Sequence, residues 1–431
     1  MNAVTHRKAG PDALPGNQRG AVLVLFVIAM LSILGIAGLA LDGAHGMLNK
    51  TRLQNTVDAA ALASAKALDQ TADEVVAEAA ALATFGDNAS ATGNNELENS
   101  YVNNDISVDV EFSNTLNPFA PGTFPAMYVR VRAQGFRLPT WLTPVLGHTE
   151  MNIAASAVAG PSPTISNACN LVPLIVCGTP PAEGGQPPYW GYQDGQPVVL
   201  KGASNQCPSI GPGNFQLARL GGSGADVVRE NLAGGFQGCF SEDDTVPTQP
   251  GNQVGPVFQG LNTRFNIYAG PLNGSQSEYP PDVVTQQTNP PLTYDDGGVQ
   301  CSTEGDIKQG NTVINDAADL DFNFDAYLDR VTTADYDVMP APDSYGAYER
   351  RTMPVLIADC SGTNNGQSDL PVLGYGCFFL LQQAIQQGTD ANIFGEFVEE
   401  CAAQGQAGPA PTVVPGPYII QLYKDFDSND S

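Results

Sequence analysis

Three histidines are the whole supply of imidazole in this 431-residue chain. His6, His45 and His148 all lie in its first part, and residues 161–431 contain none. That large region therefore has no Ser-His-Asp or Cys-His hydrolase and no histidine-ligated zinc. Eight cysteines, Cys169, Cys177, Cys207, Cys239, Cys301, Cys360, Cys377 and Cys401, all fall within it. They form no C-x-x-C pair, which weakens zinc and dithiol redox readings. An even number confined to one region points to disulfides in an oxidising compartment, with reduced buried thiols as the alternative. Cys169 and Cys177 bracket a short apolar run and are the expected local pair, because closing a small loop costs little entropy.

The acids offer three spacings to weigh. Asp359-Cys360-Ser361-Gly362-Thr363 imitates the D-x-S-x-S/T pattern that holds Mg²⁺ at a strand end in von Willebrand A domains. Only 68 residues follow it, too few to finish such a domain, so a strand end with a disulfide cysteine is the expectation. Asp319, Asp321, Asn323 and Asp325 have the spacing of a calcium loop's first ligands. Phe324 and Arg330 then stand where that loop needs Gly and Glu. Asp425, Asp427 and Asn429 repeat the spacing at the end of the sequence. Solvated acidic turns are the expectation for both. No spacing singles out a carboxylate pair for glycosidase or protease work. No catalytic, cofactor or metal residue is assigned, no cofactor is expected, and the chain is read as a non-enzyme.

The net charge of −27 is unevenly placed. Residues 1–60 balance at +2, leaving −29 for the remainder. Such a surface repels phosphate backbones and excludes nucleic acid as a partner. Glycine (46) and proline (33) are abundant enough to demand many turns and short strands.

These features must be positioned by the elements around them, and the dominant one is residues 21–41. This run has no charge, and its only polar side chain is Ser32. As a helix it is ~31 Å long, enough to cross a bilayer core of ~30 Å. Residues 1–19 read as a short cytoplasmic tail, with Arg7, Lys8 and Arg19 placing the N-terminus inside. Ala29, Ser32, Gly35 and Gly38 recur every third residue, a small-residue stripe suited to packing against another helix or a second copy. After the span, Leu53, Val57, Ala61, Ala65, Leu68, Ala72, Val75, Ala79 and Leu82 predict one amphipathic stem running to about residue 85. Gly43 and Gly46 are expected to bend it at the membrane surface. Alternation predicts strands over 106–112, 127–138 and 151–159, a small antiparallel sheet packed on the stem, with an apolar connector at 139–142. Residues 160–163 form a linker. Beyond it, apolar runs at 171–177, 197–200, 353–358, 374–381 and 418–422 predict short strands, and 224–232 and 394–403 predict helices. The fold class is α+β. The organisation is a tail (1–19), a transmembrane helix (20–41), a helix stem with a small sheet (42–160), and a β-rich disulfide-containing extracytoplasmic domain (161–431).

Residues 19–68 resemble the TadE/TadG-like N-terminal family of the tight-adherence (Tad, Flp pilus) machinery. The matching residues are Arg19 and Gly20 before the span, Asp42 at its end, then Arg52-Leu53-Gln54, and Asp58 opening an alanine-rich run. The nearest likeness is to TadG-like proteins without a von Willebrand A domain. The resemblance implies a bacterial inner-membrane protein with its bulk in the periplasm, working with other pilus-assembly proteins in adhesion, as assembly factor or minor subunit. Related pseudopilins carry Glu at the fifth mature position. Cleavage after Gly20 would put Leu25 there, so a retained anchor is expected. The competing class is a tethered surface protein that binds a ligand, Ca²⁺ or carbohydrate, or hydrolyses with carboxylates.

Overall fold

The computed structural model describes residues 19–163, 165–187, 189–201, 214–241, 244–295, 305–340, 345–361, 366–387, 390–407 and 416–428. Cys207, Cys301, Gly362, Thr363 and Asn429 lie outside the described residues, as does the tail up to residue 18. Helix α1 (Arg19–Thr71) is continuous for 53 residues. Gly43 and Gly46 lie within it and do not interrupt it. A methyl at Gly46 would stand 3.0 Å from the Met151 side chain, so this glycine allows close approach.

The stem does not continue straight to residue 85. Ala72 takes a left-handed conformation (φ 50°). The Asp73 carboxylate then caps α2 (Glu74–Ala89), accepting from the Val75 and Val76 amides. The chain folds into an antiparallel helix hairpin: the Ser64 hydroxyl meets the Ala77 carbonyl at 2.8 Å, and Asn49 meets Glu96 near α3 (Asn95–Val102). The apolar face changes register at the turn. Leu53, Val57, Ala61, Ala65 and Leu68 are buried as predicted, but Val75 is exposed and the buried face of α2 is Ala77, Ala81 and Phe85. Alanine against alanine lets the two backbones approach closely.

Strands β1 (Ser107–Ser113), β2 (Tyr128–Pro139) and β3 (Glu150–Pro161) form the expected antiparallel sheet and pack on the hairpin. A fourth strand, Ile420–Tyr423, pairs with β3 from the far end of the sequence. The second domain therefore does not run on to residue 431; it is inserted between β3 and that returning strand.

The inserted region centres on an eight-stranded mixed sheet. Its central strand Asp369–Leu380 lies between Thr352–Ala358 and Asp390–Val398, antiparallel to both. Both faces of this strand are buried. Phe378 and Leu380 pack with Val228, Leu232, Val257 and Leu261 of the helices Ala225–Gly234 and Val254–Leu261. Cys377 and Phe379 pack with Tyr327 and Val331 of the helix Phe324–Thr332. Double-sided burial is why the run reads as continuously apolar instead of alternating. It also overturns the helix expected over 394–403. Phe394 and Val398 face one core, Ile393 and Phe397 the other, and Gly395 leaves room for Leu200, whose Cδ1 would lie 2.7 Å from an added Cβ.

Candidate functional site at the membrane exit

Asp42 stands directly after the apolar run and is 1% exposed. Its carboxylate accepts from the amides of Trp141, Leu142 and Thr143 at 3.0, 3.0 and 2.8 Å, and from the Thr143 hydroxyl at 2.8 Å. Burial alone would raise its pKa, but these donors overcome that and hold it at about 2. The contact pins the β2–β3 connection, with its short 3₁₀ turn Thr143–Leu146, onto α1. One turn further, His45 stacks on Trp141 at 4.5 Å. The His45 ring also meets Glu96 at 2.7 Å, and Asn49 donates to the same carboxylate oxygen at 2.9 Å.

The other motif residues continue this attachment. Leu53 is fully buried between hairpin and sheet. Gln54 donates to Asp58 at 2.8 Å and to the Ser156 carbonyl of β3 at 3.0 Å. A Cβ added to Gly93, after α2, would stand 3.7 Å from the Arg52 guanidinium, and the Arg52 carbonyl accepts from the Thr56 hydroxyl. Arg19 and Gly20 open α1. From Asp42 to Asp58 the motif therefore clamps the helix to the protein's own sheet and hairpin.

The small-residue stripe divides in two. Ala29 and Ser32 are exposed, and the Ser32 hydroxyl bonds the Ile28 carbonyl at 2.8 Å. Gly35 and Gly38 are buried under the chain's own loop: added Cβ atoms would stand 3.5 Å from Leu146 Cδ2 and 3.0 Å from Leu142 Cβ.

Six cysteines form three disulfides: Cys169–Cys239, Cys177–Cys360 and Cys377–Cys401. The local pair Cys169–Cys177 does not form. Cys169 sits directly across from Cys239 in paired strands. Cys177 ends a strand parallel to Thr352–Ala358, next to Cys360. Strand neighbours decide the pairing, not closeness in sequence.

The acidic spacings hold structural partners. Asp359 follows the strand end and accepts from the Ser361 amide. Asp321 accepts from Thr288, Asn289 and Gln309, and Asn323 caps the helix Phe324–Thr332. Asp425 and Asp427 lie 3.6 and 3.0 Å from Arg130. No three His, Cys, Asp or Glu side chains converge as a metal site among the described residues.

A second polar site joins the far end of α1 to the inserted region. Tyr418 donates to Asp69, and Gln70 donates to Glu349 at 3.4 Å. Asp69, Gln70 and Glu349 line a cavity of about 540 Å³ with Lys66 and Arg350. Burial pushes both carboxyls up, and the Asp69 charge adds to the rise of Glu349, to about 7. Sequence reading missed this pair, along with Trp141, Glu96 and Arg351. Only Trp141 left a signal, as an aromatic in an apolar connector.

No significant match was found among curated proteins or among solved structures. A family model does match, and it covers the spanning helix and the clamp that follows. Residues 20–67 match the Tad family model, described as putative Flp pilus-assembly TadE/G-like.

Proposed function

We propose that this protein is a membrane-anchored, non-enzymatic component of Flp pilus assembly, acting as an assembly factor or minor pilus subunit. In this reading the N-terminus is cytoplasmic, α1 crosses the inner membrane, and residues 42–431 are periplasmic. The observation that carries it is the coincidence of the Tad match at 20–67 with the span and its clamp. The disulfides support an oxidising compartment. The commitment of Asp42, Asp321, Asp425 and Asp427 to structural bonds supports a scaffold without carboxylate catalysis. Tagged protein is expected to co-purify with pilus-assembly components, and deletion of its gene to reduce piliation. Normal pili in the deletion strain together with an empty pull-down overturn the assignment.

A further inference from the structure

We propose that the loop of residues 141–147 is a second membrane contact, lying in the lipid of the leaflet that the stem faces. The inference rests on α1 being a span. Trp141, Val145 and Leu146 are 60, 54 and 49% exposed, and no charged residue occurs between Arg137 and His148. The loop lies on α1 with Leu146 over Gly35 and Leu142 over Gly38, on the stretch of helix where Ile36, Leu39 and Leu41 are also exposed. Two arguments select lipid as the occupant.

The first is length. Leu146 covers Gly35, seven residues before Asp42, which is ~10 Å along the helix axis. With Asp42 at the lipid boundary, Leu146 reaches ~10 Å into the leaflet. A boundary placed at Gly35, to keep the loop in water, leaves residues 21–34, only ~21 Å of helix for a core of ~30 Å.

The second is the backbone. A water-exposed loop leaves amides for solvent, whereas lipid requires them to be bonded internally. Here Asp42 takes the amides of Trp141, Leu142 and Thr143. Thr140, Val145, Gly147 and His148 bond to carbonyls within the loop or its base, and Pro144 has no amide. The Thr140 hydroxyl is also held, by the His148 carbonyl. An indole beside the boundary suits the interface. Asp42 thus brings an apolar wedge down along the apolar run that it ends.

The test uses the full chain in vesicles of phosphatidylcholine and phosphatidylglycerol brominated on the acyl chains. Trp141 and Trp190 are the only tryptophans, and Trp190 packs in the inserted domain. Trp141 emission, taken as the difference between the parent and W141F, is expected to fall at least twofold in brominated lipid, with Trp190 unchanged. Val145→Asp with Leu146→Asp, both at exposed positions, is expected to halve that quenching while α1 stays resistant to carbonate extraction. An unquenched Trp141 on a carbonate-resistant chain overturns the loop contact and leaves the span standing. The same holds if unquenched Trp141 accompanies cross-linking through the loop to a second copy. A chain that carbonate extracts overturns both readings.

Discussion

Arg351 provides a quantitative test of how the inserted domain is held together. Its side chain is fully buried and makes five hydrogen bonds to four backbone carbonyls, those of Val284, Gln286, Leu380 and Leu381. It also lies over the rings of Phe265 and Phe379, at 4.6 and 4.5 Å. Methionine at this position keeps apolar volume but donates nothing. Four carbonyls lose a donor at about 1 kcal/mol each at the lower bound, so a loss of about 4 kcal/mol is expected, within the ~3–5 kcal/mol typical of breaking a buried ionic contact from one side. At a urea m-value of about 3 kcal/mol/M, the midpoint falls by about 1.3 M.

The same substitution carries a pH signature. Asp282 is buried beside Arg351, and accepts from the amides of Val284 and Arg351 and from the Tyr327 hydroxyl. Burial raises its pKa to about 6, and the Arg351 charge opposes that rise. Removing the charge moves the folded-state value higher still. A carboxyl whose folded pKa is raised contributes stability that is complete below its unfolded value and is lost as pH rises through the folded value. In the parent that loss is finished a little above pH 6; in R351M it extends upward. The stability gap between parent and variant, measured by urea unfolding, is therefore expected to narrow from pH 7.5 to pH 6. A loss below about 1 kcal/mol, or a gap that widens on acidification, refutes the reasoning.

Replacing Cys177 and Cys360 by alanine removes a bridge that spans 183 residues, and chain entropy predicts a cost of about 5 kcal/mol in non-reducing urea unfolding; no change would show that the loop is constrained in other ways. Glu349→Gln is expected to flatten the decline in stability between about pH 4.5 and 7, because Glu349 is raised from the ordinary 4.5 to about 7 and its protonated form stabilises the fold until pH passes that value; a pH profile identical to the parent's counts against the buried pair. Asp73→Ala removes the cap of α2 and should cost about 1 kcal/mol by thermal or urea unfolding. Alkaline phosphatase fused to the C-terminus should be active if the bulk of the protein is periplasmic, and a well-expressed inactive fusion rejects that topology.

Local order made the stem domain readable. The strands over 107–113, 128–139 and 150–161 follow from alternation, and the span from an uncharged run. What failed depended on partners distant in sequence. The ladder Leu68, Ala72, Val75, Ala79 has helical spacing throughout, so it hid a reversal that Asp73 signals only as an N-cap candidate. Residues 394–403 contain aromatics at mixed spacing because both faces of that strand are buried, which blurs the period of two. The disulfides follow strand neighbours such as Thr352–Ala358 beside Ile175–Cys177, a pairing that no cysteine spacing encodes. Buried Arg351 and Glu349 look like ordinary surface charges until the carbonyls of residues 284–286 and 380–381, and the end of α1, are brought to them.

Helix α1 links these regions into one mechanical unit. It meets the loop at Asp42, the sheet at Gln54, and the inserted domain at Asp69 and Gln70. Asp42 and Asp69 are 27 residues apart on an unbroken helix, which places these contacts ~40 Å apart. The strand Ile420–Tyr423 returns the end of the inserted region to β3, so that region is tied to the stem by both of its chain connections as well as by Tyr418 and Glu349. A domain held at one point could swing about a linker. This one is held at its entry, at its exit and at the helix end, so its distance from the apolar run follows from helix length. The 160–163 stretch that reads as a linker is bonded across to the returning strand, with the Ser162 amide on the Ile419 carbonyl at 2.8 Å and the Ile419 amide on the Ser162 hydroxyl at 3.1 Å. The junction ties the inserted domain back to the stem sheet, at a distance from the apolar run that the unbroken helix sets.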